Sequence, residues 1–276
     1  MRFICLHGIG SSARILESQL QPFMREADPS YEFIFVDGPF RCERGPGVPA
    51  FLDGPFFSHS AGYSPDEMAE AHECLDAAID ELGPFDGVVG FSQGGALAIS
   101  YMHRKQVQEQ PQPFKFALIM SSVFPFSADP SDCQNAIRRL TAPRNPEPMG
   151  QDERVSIDLL KKTITEIRKN KAFLPEVDLD VYNVGRDPSL APRFMHQLLV
   201  KEKILTPTVH VTGKRDFPFM RAMSEVARGV CDAKFVKSLE HSGGHQPPQK
   251  PVEVKAAVRA MDWAISQSQR VGHLHI

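Results

Sequence analysis

The sequence predicts a doubly wound, mostly parallel α/β sheet in one domain over residues 1–276, with helices covering both faces. Three observations predict it. Short apolar runs alternate with helix-periodic segments along most of the chain. Residues 86–99 read as strand, sharp turn and helix, with a serine at the apex. Three residues of catalytic type each follow a predicted strand, and open sheets of this class gather their sites at the carboxyl ends of strands.

The elements follow in order. Phe3-Ile4-Cys5-Leu6 is a short buried-type strand that runs into His7-Gly8-Ile9-Gly10-Ser11-Ser12. A helix over about 13–27 and a strand over 31–36 come next. Residues 37–63 are rich in Gly, Pro and aromatics, among them Pro46, Phe56, Phe57 and Tyr63, and lack periodicity. A loop of this length is usually functional, and it is read as one wall of an apolar pocket, with aromatic packing under a loop as the alternative. Ser64-Pro65-Asp66-Glu67 opens a helix with a capping box and a proline at its first position. Met68, Ala71, Leu75, Ala78, Ile79 and Leu82 form its buried stripe.

Gly83-Pro84 ends that helix, and Val88, Val89 and Phe91 lead into Gly90-Phe91-Ser92-Gln93-Gly94. Glycines on both sides let strand and helix approach and lift Ser92 clear of the sheet. A G-x-S-x-G pentapeptide alone is a weak signal. Between an apolar strand and the small-residue helix begun by Ala96, Leu97 and Ala98, it marks a nucleophile. The unpaired first-turn N–H of Gln93 and the N–H of Ile9 can then both point at an oxyanion.

Phe116 to Met120 is another buried strand. The pattern loosens over residues 125–206, read as an inserted lid: a stretch with Pro143, Pro146 and Pro148, an amphipathic helix over about 155–169, a strand over 180–184 and a short helix over 192–201. Regular structure resumes with a strand at 207–212, a helix over about 219–231, a strand at 234–237 and a closing helix over about 251–268.

A serine nucleophile needs an imidazole to take its proton and a carboxylate to hold that ring in the right tautomer. His245, between Gly243-Gly244 and Pro247-Pro248, is the expected base, with His241 as the alternative. Asp216 ends the strand before it and is the expected acid. Asp187 ends a similar stretch and is the alternative. Phe57, Phe124 and Phe217 are the expected pocket-lining residues. No cluster has metal-ligand spacing and no Gly-rich loop matches a dinucleotide or phosphate fingerprint, so neither metal nor cofactor is expected.

Composition bounds the partners. With 31 basic and 34 acidic residues, the net charge of −3 leaves no nucleic-acid footprint. No apolar run suits a membrane span, and no signal peptide fits before His7. Five scattered cysteines, an odd number, suggest reduced thiols and a cytoplasmic protein.

Leu6-His7-Gly8, the run from Gly83 to Gly95, Gly213-Lys214-Arg215-Asp216 and His241-Ser242-Gly243-Gly244-His245 together make the chain resemble a fungal serine hydrolase family. That family also includes the human ovarian-tumour-suppressor-candidate hydrolase. The resemblance implies an α/β-hydrolase fold and esterase or thioesterase chemistry, with Ser92 as nucleophile, Asp216 as acid and His245 as base. Several members are stand-alone thioesterases that release polyketides from the carrier protein of their synthase, and the aromatic loop and the insertion are similar to that branch. The expected function is therefore acyl release by hydrolysis or lactonisation, with an acyl carrier protein as partner. The alternatives are a general short-chain carboxylesterase and a non-catalytic binding module.

Overall fold

The computed structural model describes residues 1–45, 47–143, 150–170 and 179–272. Pro46 and the prolines at 146 and 148 lie outside the described residues. In chain order the elements are β1 (Arg2–Leu6), α1 (Ala13–Glu26), β2 (Glu32–Val36), β3 (Phe40–Cys42), β4 (Phe56–Ser58), α2 (Pro65–Leu82) and β5 (Gly87–Phe91). They continue with α3 (Gln93–Val107), β6 (Phe116–Met120), β7 (Phe126–Ser127), α4 (Gln134–Thr141), α5 (Gln151–Asn170) and β8 (Arg193–Phe194). The chain closes with β9 (Thr208–Gly213), α6 (Pro218–Gly229), β10 (Val236–His241) and α7 (Pro251–Gly272).

Six strands form one sheet in the order β10-β9-β6-β5-β1-β2, and every pairing in it is parallel. Parallel strands buried on both faces need apolar side chains pointing both ways. Phe3 and Cys5 of β1, with Phe116, Leu118 and Met120 of β6, pack under α1 and α7. Ile4 and Leu6, with Val88 and Ile119, pack under α2, α3 and α6. Strand β1 pairs with β2 on one side and β5 on the other, so the chain reverses its direction of travel across the sheet there. The carboxyl ends beside that reversal are where a doubly wound sheet opens a crevice.

The capping box that opens α2 is formed: Ser64 N–H donates to Glu67 Oε2 at 2.9 Å, and Ser64 Oγ accepts from Glu67 N–H at 3.4 Å. Elsewhere the structure corrects the sequence reading. The aromatic stretch over 37–63 contains the antiparallel hairpin β3–β4. The strand expected over 180–184 is instead a single 3₁₀ turn, Leu179–Tyr182. The buried Tyr182 hydroxyl there donates to the Pro192 carbonyl at 2.6 Å, which fixes the chain without any sheet partner. The helix expected over 192–201 is the short strand β8, paired with β7 through Phe126 and Phe194. The last strand runs over 236–241 rather than 234–237, because Asp232 caps a 3₁₀ turn at Ala233–Phe235.

Arg193 explains why the chain is extended at β8. It is only 2% exposed, and its guanidinium donates to the carbonyls of Pro130 (3.2 Å), Ala191 (2.6 Å) and Pro188 (2.9 Å). One buried side chain thereby ties the loop at Pro130 to the turn at 188–191 within the 125–206 segment, whose apolar residues Ile137, Leu160, Ile164 and Phe194 join the core under α3. Arg193→Met keeps the stem and removes the donors. It is expected to lower stability by about 2–3 kcal/mol, seen as a fall in the urea midpoint; an unchanged midpoint would contradict this account of the segment.

Candidate active site

The site is built around the turn between β5 and α3. Ser92 adopts φ +52° and ψ −113°, a conformation that a non-glycine residue holds only when its surroundings enforce it. The enforcement is visible. A Cβ on Gly90 would stand 2.6 Å from Gly95 Cα, and one on Gly94 would stand 2.2 Å from the Leu6 carbonyl oxygen. Strand, turn and helix therefore meet backbone to backbone. Ser92 N–H donates to the Met120 carbonyl at 2.9 Å and Gly94 N–H to the His7 carbonyl at 3.1 Å, tying the turn to both neighbouring strand ends.

His245 Nε2 lies 3.1 Å from Ser92 Oγ, and His245 Nδ1 lies 2.7 Å from Asp216 Oδ2. An ionised carboxylate only accepts, so Nδ1 carries the proton and Nε2 is left as the acceptor for the serine hydroxyl. The second oxygen, Asp216 Oδ1, accepts from Phe217 N–H at 2.8 Å, and the Asp216 side chain is 1% exposed. The loops carrying acid and base are laced together: Lys214 N–H donates to the His241 carbonyl at 2.8 Å and Arg215 N–H to the Gly243 carbonyl at 2.9 Å. The imidazole also rests against Phe91, with ring centroids 5.0 Å apart.

The two alternatives raised by the sequence are engaged elsewhere. Asp187 is exposed and caps the turn Pro188–Leu190, accepting from Ser189 N–H at 2.9 Å, and the Ser189 hydrogen bonds hold its carboxyl below the usual carboxylate range. His241 is buried at the end of β10, where its Nδ1 accepts from Gly243 N–H at 3.1 Å and burial lowers its pKa.

Gln93 opens α3 directly after Ser92, and Ile9 follows Gly8, on which a Cβ would stand 3.2 Å from Ser92 Cβ; among the described residues neither backbone N–H has an acceptor. The three phenylalanines are dispersed. Phe57 lies on β4, its backbone bonded to Gly10 and Ser11. Phe124 is buried edge-on between Phe194 and Phe219, with centroids 5.8 and 6.0 Å away. Phe217 is 73% exposed beside Asp216. A gap of about 10 Å³ separates Phe124 from Leu160 of α5 and Leu199. A wider cleft of about 570 Å³, lined by Lys203, Arg228 and Asp232, lies at the amino end of β10, opposite the carboxyl ends that carry Ser92 and His245.

Sequence reasoning missed the side chains around the turn. The Gln93 carboxamide is buried and bonded to Ser58, His59, Ser60 and Tyr63, and the His7 and His59 rings lie tilted by 34° with centroids 4.3 Å apart. Burial pushes the pKa of both rings down, farther for His59, which also faces His7. The one signal available was the position of these residues beside the turn and at the end of β1.

The chain is 37% identical over 279 residues to esterase alnB of Emericella nidulans, covering 98% of each. It is 30% identical over 263 residues to hydrolase FUB4 of Gibberella moniliformis, covering 90% of this chain and 92% of that one. The crystal structure of esterase PE8 superposes with a TM-score of 0.52 at 18% identity, over 95% of this chain and 92% of that chain, which shows the shared α/β-hydrolase fold. The serine hydrolase (FSH1) family matches residues 1–257, so the chain belongs to that family and is a serine hydrolase of the α/β-hydrolase fold.

Proposed function

We propose that the chain hydrolyses apolar carboxylic esters through an acyl-Ser92 intermediate. The observation that carries this reading is the unbroken hydrogen-bonded line Ser92 Oγ, His245, Asp216, at 3.1 and 2.7 Å. Ser92 Oγ forms a bond to the acyl carbon while His245 Nε2 takes its proton, and the carbonyl oxygen becomes an oxyanion facing the N–H groups of Ile9 and Gln93. Collapse breaks the bond to the leaving group, which receives the proton from His245. Water then attacks the acyl carbon while His245 takes its proton; the acyl–Ser92 bond breaks, the acid leaves and His245 returns the proton to Ser92 Oγ. Asp216 stabilises the imidazolium in both halves.

Esterase alnB is named for ester hydrolysis, and that supports the ester reading. The finer proposal is that the ester is a thioester on a pantetheine arm and that the chain releases a polyketide from an acyl carrier protein. In the same reading the chain is one domain over 1–276, with 125–206 as its lid. Val123 N–H reaches the Ser92 carbonyl at 3.4 Å, so the chain enters that segment directly beside the nucleophile. A cytoplasmic location belongs to the reading too, supported by five cysteines of which none forms a disulfide.

An apolar acyl site gains about 0.8 kcal/mol per buried methylene, close to a fourfold gain per carbon until it is full. Catalytic efficiency is therefore expected to rise with acyl length beyond acetyl. The measurement is kcat/KM across p-nitrophenyl esters and matched pantetheine thioesters. Thioester turnover rising in the same way supports carrier release. A peak at acetyl with no thioester turnover discards carrier release and leaves a general short-chain carboxylesterase.

A further inference from the structure

The segment between β2 and α2 is bonded to a side chain beside each expected oxyanion donor: to the His7 ring, two residues before Ile9, and to the Gln93 carboxamide. His7 receives the Gly38 N–H at its Nε2, at 2.9 Å, which leaves that nitrogen unprotonated. Its Nδ1–H must then be the donor to the Gly8 carbonyl at 2.7 Å. The ring is 0% exposed, and burial favours this neutral form. A trans peptide is planar, with its C=O and N–H pointing opposite ways. Pinning the Gly8 oxygen therefore aims the Ile9 N–H of the same peptide.

The second donor is held through its own side chain. Gln93 is 3% exposed, and its Oε1 accepts from His59 N–H at 3.0 Å. Its Nε2 hydrogens are shared among Ser58 Oγ (2.8 Å), Tyr63 Oη (3.2 Å) and Ser60 Oγ (3.3 Å). The hairpin between these anchors closes over the β1 loop: Gly10 N–H donates to the Phe57 carbonyl at 2.9 Å, Phe57 N–H to the Ser11 carbonyl at 2.8 Å, and Gly45 N–H to the Gly10 carbonyl at 2.9 Å. Gly10 has φ +64°, and a Cβ on it would stand 1.9 Å from Gly45 N, so the two loops touch along their backbones.

We propose that residues 38–45 and 47–63 brace the oxyanion hole, with His7 and the Gln93 side chain as its positioning residues. This deepens the aromatic stretch from a pocket wall to a scaffold for transition-state geometry, and it rests on the reading of Ser92 as nucleophile with Ile9 and Gln93 as donors. Both positioning side chains are buried, so in this proposal they act through the backbone rather than on substrate. Each fixes the direction of one N–H, and a donor displaced by about an ångström costs on the order of a hundredfold in rate.

The test uses Gln93→Met, which keeps length and removes every hydrogen bond, together with His7→Leu and His7→Asn. The carboxamide N–H of the asparagine variant can still reach the Gly8 carbonyl. Gln93→Met and His7→Leu are each expected to lose on the order of a hundredfold in kcat with KM little changed. The affinity of an alkylboronic acid, tetrahedral once bound to serine, is expected to fall by the same factor, and His7→Asn to recover most of both. Mapping a fluorophosphonate adduct separates the two layers of the argument. An adduct on Ser92 with boronate affinity and kcat both unmoved in Gln93→Met overturns the brace alone, as does a fall in kcat without a matching fall in boronate affinity. An adduct on another residue overturns the nucleophile assignment beneath it.

Discussion

Ser92→Ala is expected to lose ester hydrolysis by a factor on the order of 10⁶ in kcat, the scale of nucleophile removal in a serine protease, and to lose fluorophosphonate labelling entirely. Among the described residues the side chain makes one hydrogen bond, the contact at 3.1 Å with His245 Nε2, and the strained turn is enforced by Gly90, Gly94 and the backbone bond to Met120. Alanine carries a Cβ as serine does, so it meets the same φ of +52° at similar cost. Thermal unfolding should therefore shift by only a few degrees. Labelling and turnover are to be measured on the same folded preparation. A variant that still labels places the nucleophile elsewhere and removes the mechanism; one that unfolds instead gives the hydroxyl a structural part that its single contact does not explain.

What the sequence made legible was whatever has a local signature. The apolar run into Ser92 and the small residues after it specify strand, turn and helix within fourteen positions, residues 86–99, and Ser64 and Glu67 specify the start of α2 by a four-residue pattern. Asp216 and His245 could be placed because each follows a strand of the parallel sheet. The parts that were not legible depend on distant partners. Strand β8 is two residues long and exists because Phe194 pairs with Phe126, and Arg193 is held by three carbonyls on two loops, neither of which leaves a periodic pattern. The hairpin β3–β4 is similar, three residues a side closed by backbone bonds to Gly10 and Ser11. Gln93 shows the limit most clearly. Its place after the nucleophile suggests a backbone role, while its side chain depends on Ser58, Ser60 and Tyr63, thirty to thirty-five residues away in sequence.

Asp216→Asn is expected to lower kcat/KM by a factor on the order of 10⁴ with little change in fold, as the same exchange does in the protease precedent. The carboxylate accepts the His245 Nδ1–H at 2.7 Å through Oδ2 and the Phe217 N–H at 2.8 Å through Oδ1. An asparagine has one acceptor oxygen, and the Phe217 N–H claims it. The carboxamide NH₂ then faces Nδ1, which must become the acceptor. The ring proton moves to Nε2, opposite Ser92 Oγ, where it blocks removal of the serine proton. Asp187→Asn is the control. Its side chain accepts from Ser189 N–H at 2.9 Å as a cap, and asparagine caps about as well as aspartate, so activity should stay within about twofold. Steady-state kinetics on one p-nitrophenyl ester, with unfolding followed in parallel, compares the two. A large loss at Asp187 with a mild one at Asp216 would mean that the 2.7 Å contact does not set the tautomer of the catalytic ring.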